Sequence, residues 1–411
     1  MASVEFASPY IVGTPVPVDF FFGRSDQIAQ FFNMLRGSVL QPLRVLGFRR
    51  SGKTSFLLKV ADRDVIRAHL SSQKNQTFIA YVDLQAGVKS PDDFYRRVAK
   101  SITRAIAGNL SLQIPAAFPD FDSFSQWLET ILTPRTNFRV VVLLDEFEKL
   151  VRRAAFTPDF FDGLRSLVST MFPSRLTWVT ASYTDLYDLD RQISRDSESS
   201  AFFNIFHPTP IILGGMKPDE ADRLICEPAA KIGISLKSEE VGVVRHLAGA
   251  MPYFLQATAE QWLINRSPSL SLKDCQQEVL ERLLDISNQL PDQMNRYRRR
   301  LTHEELTCVG RIAGAKSIVK KTNSEVERKL LRYGLLSEET DQIKISGEVF
   351  RQWLESNLPR LTTAPPRKEK ESPEKPSASK QSGGITITAH IVNIDGDVTG
   401  RDKIEDGGSS T

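Results

Sequence analysis

Eight residues constrain this chain more than any others. Gly47-Phe48-Arg49-Arg50-Ser51-Gly52-Lys53-Thr54 fits the pattern G-x-x-x-x-G-K-[ST] in full. It stands between a short apolar run, LRVLGF (43–48), and a helix-like SFLLKVA (55–61). Such a loop cradles a phosphate with its backbone amides, and the helix that follows adds the positive end of its dipole. Lys53 is expected to reach the β- and γ-phosphates and the Thr54 hydroxyl to ligate magnesium. Gly47, Arg50, Ser51, Gly52 and Ser55 complete the expected phosphate-binding set. The ligands this implies are ATP or ADP with Mg2+.

The surrounding pattern predicts an α/β fold with a parallel sheet. QTFIAYVDL (76–84), FRVVVLLD (138–145), LTWVTASY (176–183) and PIIL (210–213) read as further strands. A continuous apolar run such as VVVLL suits a strand buried on both faces. Between the strands lie helical stretches: 25–36 with Ile28, Phe31, Phe32 and Leu35 on one face; one opened by Ser90-Pro91, with Phe94, Val98, Ile102 and Ile106; and one carrying Phe124, Trp127, Leu128 and Ile131. Strands alternating with helices place a ligand at the carboxyl ends of the strands. There Asp145 ends its strand and is followed by Glu146. Asp145 is the expected metal-holding carboxylate, and Glu146 the residue that polarises the attacking water.

Composition excludes several other classes. Lysine and arginine number 53 against 50 acidic residues, a net +3, so any nucleic-acid surface must be a local patch. Cys226, Cys275 and Cys308 are too few and too scattered for a disulfide framework or a zinc ladder. No apolar run approaches 18 residues, which predicts no membrane span. The first residues lack a basic stretch followed by an apolar core, so a cytoplasmic location is expected. Five histidines (69, 207, 246, 303, 390) show no metal spacing.

From 217 the chain reads as mainly helical, with a polar stretch (266–300) ending in Arg296, Arg298, Arg299 and Arg300. Residues 301–357 read as three helices, a hairpin and a final helix, the order of a winged helix. Residues 358–383, with Pro365, Pro366, Pro373 and Pro376, read as a disordered linker. The 384–404 segment is β-prone: Ile385, Ile387, Ala389 and Ile391 alternate with polar residues. Alone it cannot bury enough area to fold. Its alternatives are self-stacking in a cross-β assembly, strand addition to an effector, or a tail without a partner.

Beyond these readings, several segments resemble known proteins. Phe22-Gly23-Arg24 resembles the Phe-Gly-Arg box of AAA+ relatives: archaeal-type ATPases, origin-recognition-type initiators and STAND signalling NTPases. SPYIVGTPV (8–16) is similar to the start of bacterial proteins of this type. The resemblance implies that Phe22, Gly23 and Arg24 lie near the adenine. It also implies that Ser182, ending the fourth strand, holds the sensor-1 position with a catalytic role. The stretch 199–229 resembles the join between an ATPase core and a helical lid. Leu247-Ala248-Gly249-Ala250-Met251-Pro252-Tyr253 resembles the lid's Gly-Gly-x-Pro-Tyr motif, with Pro252 near the nucleotide. Ala250 replaces a usual second glycine, and Met251 a frequent histidine. No sensor-2 arginine is visible in the lid motif. Arg191 and Arg195 are arginine-finger candidates beside the blander reading of a solvated loop. These departures favour a slow switch over a rapid ring machine.

The expected organisation is therefore a P-loop ATPase core (8–216), a helical lid and connector (217–300), a winged helix (301–357), the linker (358–383) and an interaction motif (384–404). The resemblance implies a STAND-like signalling ATPase that forms homo-oligomers on ATP binding and presents 384–404 to an effector. The alternative is an AAA+ initiator or loader using its winged helix on duplex DNA. The mixed charge of 323–333, with Glu325, Glu327, Arg328, Lys329 and Arg332, and the acids Glu338, Glu339 and Asp341 in the hairpin weigh against DNA. Lys316, Lys320, Lys321 and the arginine run are the groups that could touch phosphate.

Overall fold

Phe138–Asp145 form strand β3, every residue of it buried, at the interior of a five-stranded sheet. With β1 (Leu43–Leu46), β2 (Gln76–Asp83), β4 (Leu176–Ser182) and β5 (Ile211–Ile212) it makes a parallel sheet in the order β2-β3-β4-β1-β5. The computed structural model describes residues 8–362, apart from 72–75, 86, 108–111, 187–188, 190–199, 268, 286–288 and 316–317. Arg191, Arg195, Lys316, the linker beyond 362 and the 384–404 motif lie outside the described residues.

Helices cover both faces of the sheet: α1 (Ser25–Leu35), α2 (Lys53–Val60), α3 (Arg63–Leu70), α4 (Pro91–Ile106), α5 (Phe121–Leu132), the single-turn α6 (Glu148–Val151) and α7 (Pro158–Ser166). The period of two along β3 sends its side chains to opposite sides. Val140, Val142 and Leu144 join Phe94, Val98, Phe124 and Trp178 in one core, and Val141 and Leu143 join Phe31, Phe32, Val45 and Phe56 in the other. Ser90 caps α4 by accepting from the Asp93 amide, with Pro91 at the first helical position. The register sets Leu46 beside Ser182 and Asp83 beside Asp145, so the ends of β1, β3 and β4 open on one edge.

The rest of the described chain is mostly helical: α8 (Pro218–Lys231), α9 (Ser238–Ala248), α10 (Pro252–Asn265), α11 (Leu272–Leu284), α12 (Gln289–Arg298), α13 (His303–Gly314), α14 (Glu325–Arg332) and α15 (Glu348–Thr362). Strands β6 (Val319–Lys320), β7 (Leu336–Glu339) and β8 (Gln342–Ile345) form a small antiparallel sheet in the order β6-β8-β7. One apolar core runs through all of this, from Leu224, Val244 and Phe254 to Val309, Leu330, Ile343 and Phe350.

Two details differ from the sequence reading. Among the described residues of 301–357 two helices, not three, precede the hairpin, and Val319 and Lys320 pair with Ile343 and Gln342 in a strand. The final helix runs to Thr362, into the segment expected as linker. No described helix is long and apolar enough to cross a membrane, and the three cysteines are free.

Candidate functional site

The loop between β1 and α2 is shaped by its glycines. Gly52, at φ 92, caps α2 from the left-handed region, where side chains are strained. A Cβ on Gly47 would collide with the Ser51 hydroxyl and the Leu213 carbonyl. Lys53 is 8% exposed. Its ammonium donates to the Gly47 and Phe48 carbonyls, at 2.9 and 3.1 Å. Burial lowers its pKa, opposed by the nearby carboxylates of Glu148, Asp145 and Glu146. The Ser55 hydroxyl accepts from the Val16 amide at 3.1 Å, holding the N-terminal segment against α2.

Asp145 ends β3 directly beside this loop. Its Oδ2 accepts from the Thr54 hydroxyl at 2.7 Å and the Tyr81 hydroxyl at 3.0 Å, and Oδ1 from the Glu146 amide at 3.0 Å. Burial raises its carboxyl pKa, while the hydrogen bonds from Thr54 and Tyr81 and the charge of Lys53 pull the other way. Thr54 and Asp145 thus present two hard oxygen donors side by side, a set that fits magnesium, which keeps its remaining positions for phosphate oxygens and water. Glu146 adopts φ 57, an uncommon conformation for a residue with a Cβ, and lines the cavity. Tyr81 carries no motif signal; only its alternation along β2 hints at its direction.

The cavity is lined by Phe22, Arg24, Arg50, Ser51, Gly52, Lys53, Thr54, Ser55, Glu146 and Pro252 among the candidate residues. Ile11, Phe20, Phe21, Met216 and Leu224 supply an apolar wall. Arg24 is 4% exposed and spends its guanidinium on three carbonyls: Gly214 at 2.5 Å, Gly215 at 3.2 Å and Ser51 at 3.4 Å. Burial lowers it to about 10. It therefore ties the phosphate loop to the segment leading into α8. Gly23, at φ 73, leaves no room for a side chain beside Glu220. Glu220 in turn accepts from the Ser25 amide at 3.0 Å. Pro252 opens α10, and the next residue, Tyr253, lies under the Arg50 guanidinium at 4.3 Å. Ser182 is fully buried, and its hydroxyl donates to the Thr184 carbonyl at 2.7 Å. Gly23, Gly47, Asp145 and Ser182 frame the site without lining the cavity.

A second set of contacts has no counterpart in any sequence motif. The Phe48 ring, on the tip of the phosphate loop, lies 5.3 Å from the Tyr297 ring and 5.0 Å from the Tyr333 ring. The next carbonyl, that of Arg49, accepts from the Tyr297 hydroxyl at 3.1 Å and from Gln293 at 3.2 Å. A Cβ on Gly214 would run into the Arg332 carbonyl, and one on Gly249 would lie 2.6 Å from the Ser346 carbonyl. The elements after 289 are thus packed onto the phosphate loop, the segment after β5 and the end of α9 together.

The sequence matches the model of the family described as novel STAND NTPase 1 over residues 15–359. No curated protein matches it. Among solved structures it is similar to the Walker-type ATPase PABY2304 of Pyrococcus abyssi, at 14% identity over 82% of this chain and 96% of that one, with a TM-score of 0.49. It is also similar to the ORC2 protein of Aeropyrum pernix in ADPNP–ADP complexes, at 14% identity, 82% and 95% coverage and a TM-score of 0.47. A RuvB variant of Thermotoga maritima follows at 13% identity, 82% and 97% coverage and a TM-score of 0.39.

Proposed function

The chain belongs to the novel STAND NTPase 1 family, and we propose that this ATP-hydrolysing P-loop enzyme works as a slow switch whose assembly follows its nucleotide. One observation carries the reading: the phosphate loop is itself a docking surface. Phe48 and Arg49 engage Tyr297, Tyr333 and Gln293, so a change in the loop is felt directly by the C-terminal elements.

In this reading Lys53 and the loop amides hold the β- and γ-phosphates. Thr54 and Asp145 would hold a magnesium ion, which supplies charge neutralisation on the phosphates. Glu146 orients the attacking water and accepts its proton. Residues 301–357 form a winged helix that holds the resting state by packing on the ATPase. The helix–strand–helix–hairpin order and the shared core support this. Exchange of ADP for ATP releases that packing, lets chains associate, and gathers many 384–404 motifs to raise their effective concentration toward an effector. The hairpin charges are spent on each other, Lys321 with Glu338 at 2.6 Å and Lys344 with Glu339, which leaves little for duplex DNA.

Light scattering with ADP and with a slowly hydrolysed ATP analogue tests the proposal. The mass should rise with the analogue, and Lys53→Ala should abolish the rise. Assembly that survives Lys53→Ala would sink the reading, whereas steep salt-dependent binding to duplex DNA would favour the loader.

A further inference from the structure

Two groups of opposite charge, the buried Glu148 and the half-buried Arg300, act on Lys53 through their charges and have no place in the set above. Glu148, the first residue of α6, is 2% exposed. Beyond its own backbone amide, neither carboxylate oxygen has a hydrogen-bond partner. Arg300 follows α12 and lays its guanidinium on the Tyr183 ring, 3.4 Å from the centroid. Its Nη1 is buried without a hydrogen-bond partner. Tyr183 directly follows Ser182 at the end of β4, so this stack stands on the strand next to the phosphate loop. Arg152 lies 5.5 Å from the same ring. Lys53, Glu146, Glu148 and Arg300 all act on one another through their charges.

A guanidinium held flat on a ring with a buried, unpaired N–H is costly until an anion takes that donor. Glu148 reaches Arg300 only through its charge, without a hydrogen bond, so the donor is left for the terminal phosphate of ATP. Lys53 marks where the β- and γ-phosphates come, and Glu146 stands on the side from which water attacks. ADP brings nothing to that position. Gln293, Tyr297 and Arg300 are spaced i, i+4, i+7, so they share one face of α12 and its continuing turn, which the Arg300 amide closes onto the Tyr297 carbonyl at 2.9 Å. Two of the three already grip the loop through Arg49.

We propose that Arg300 binds the γ-phosphate of ATP from within the same chain, so that α12, rather than the lid or a neighbouring subunit, reads whether a third phosphate is present. Glu148 is its counter-charge when the third phosphate is missing. The inference rests on the ATPase reading above and names the residue that couples the site to the C-terminal elements.

Titration of the full chain with fluorescent ADP and a fluorescent, slowly hydrolysed ATP analogue tests it. Arg300→Ala should weaken the analogue by about ten- to a hundredfold, the worth of a charged hydrogen bond, and leave ADP within about twofold. Arg300→Lys should restore part of the difference. Tyr183→Leu, which removes the ring and leaves the arginine, should lower the preference for the analogue in the same direction, and it decides the matter if Arg300→Ala does not fold. Equal loss for both nucleotides, or an unchanged ratio, overturns the proposal. Wild-type protein that binds neither nucleotide would instead sink the ATPase switch itself.

Discussion

At the scale of the residue, local motifs carried most of the candidate site. The phosphate loop and Asp145-Glu146 each occupy a few consecutive positions, and physics requires their residue types at that spacing. Glu148 was invisible because its meaning comes from what surrounds it. Burial raises its carboxyl pKa above the ordinary 4.5. A raised folded-state value means that the neutral form's stability is fully present below the unfolded value and is lost as pH rises through the folded one. Glutamine suffers no such loss. Glu148→Gln should therefore melt a few degrees above wild type near pH 7.5, with the gap closing as pH falls toward 4.5. A gap that widens in acid would contradict it. Ser182 was legible as a position and not as a contact, since nothing in the sequence says that its hydroxyl turns to Thr184.

At the scale of the element, the sheet and its helices followed from periodicity, and the clamp on the phosphate loop did not. The run Arg296–Arg300 reads as a basic cluster that ends a polar helical stretch and could touch phosphate. The structure instead buries Tyr297 completely and hydrogen-bonds its hydroxyl to Arg49, 248 positions away. No spacing rule spans that distance. Likewise the third helix expected before the hairpin gives way to β6, because Val319 has a strand partner in Ile343. Each aromatic pair is worth about 0.5–1.5 kcal/mol. Phe48→Ala, which removes two, should speed ADP dissociation by roughly tenfold and raise amide exchange in α12 and α14, as stopped-flow and hydrogen-exchange measurements would register. Unchanged exchange in both helices would mean that the ring holds nothing in place.

At the scale of the whole described chain, helices α8–α11 and the elements after 289 share a single core, with Val244 and Phe254 joined to Ile343 and Phe350. A chain ended at Arg300 should leave that apolar face bare and aggregate, while one ended at Thr362 should keep a sharp melt and nucleotide binding. Size-exclusion profiles would separate the two outcomes, and a well-behaved shorter chain would show the core to be divisible. The arrangement of Phe48 and Arg49 has a further consequence. On the proposed switch reading, the loop that grips phosphate is also the catch that holds the C-terminal elements, so a nucleotide leaves only as the catch lifts. Each molecule then carries a record of its last opening, and its clock advances by openings rather than by bonds broken.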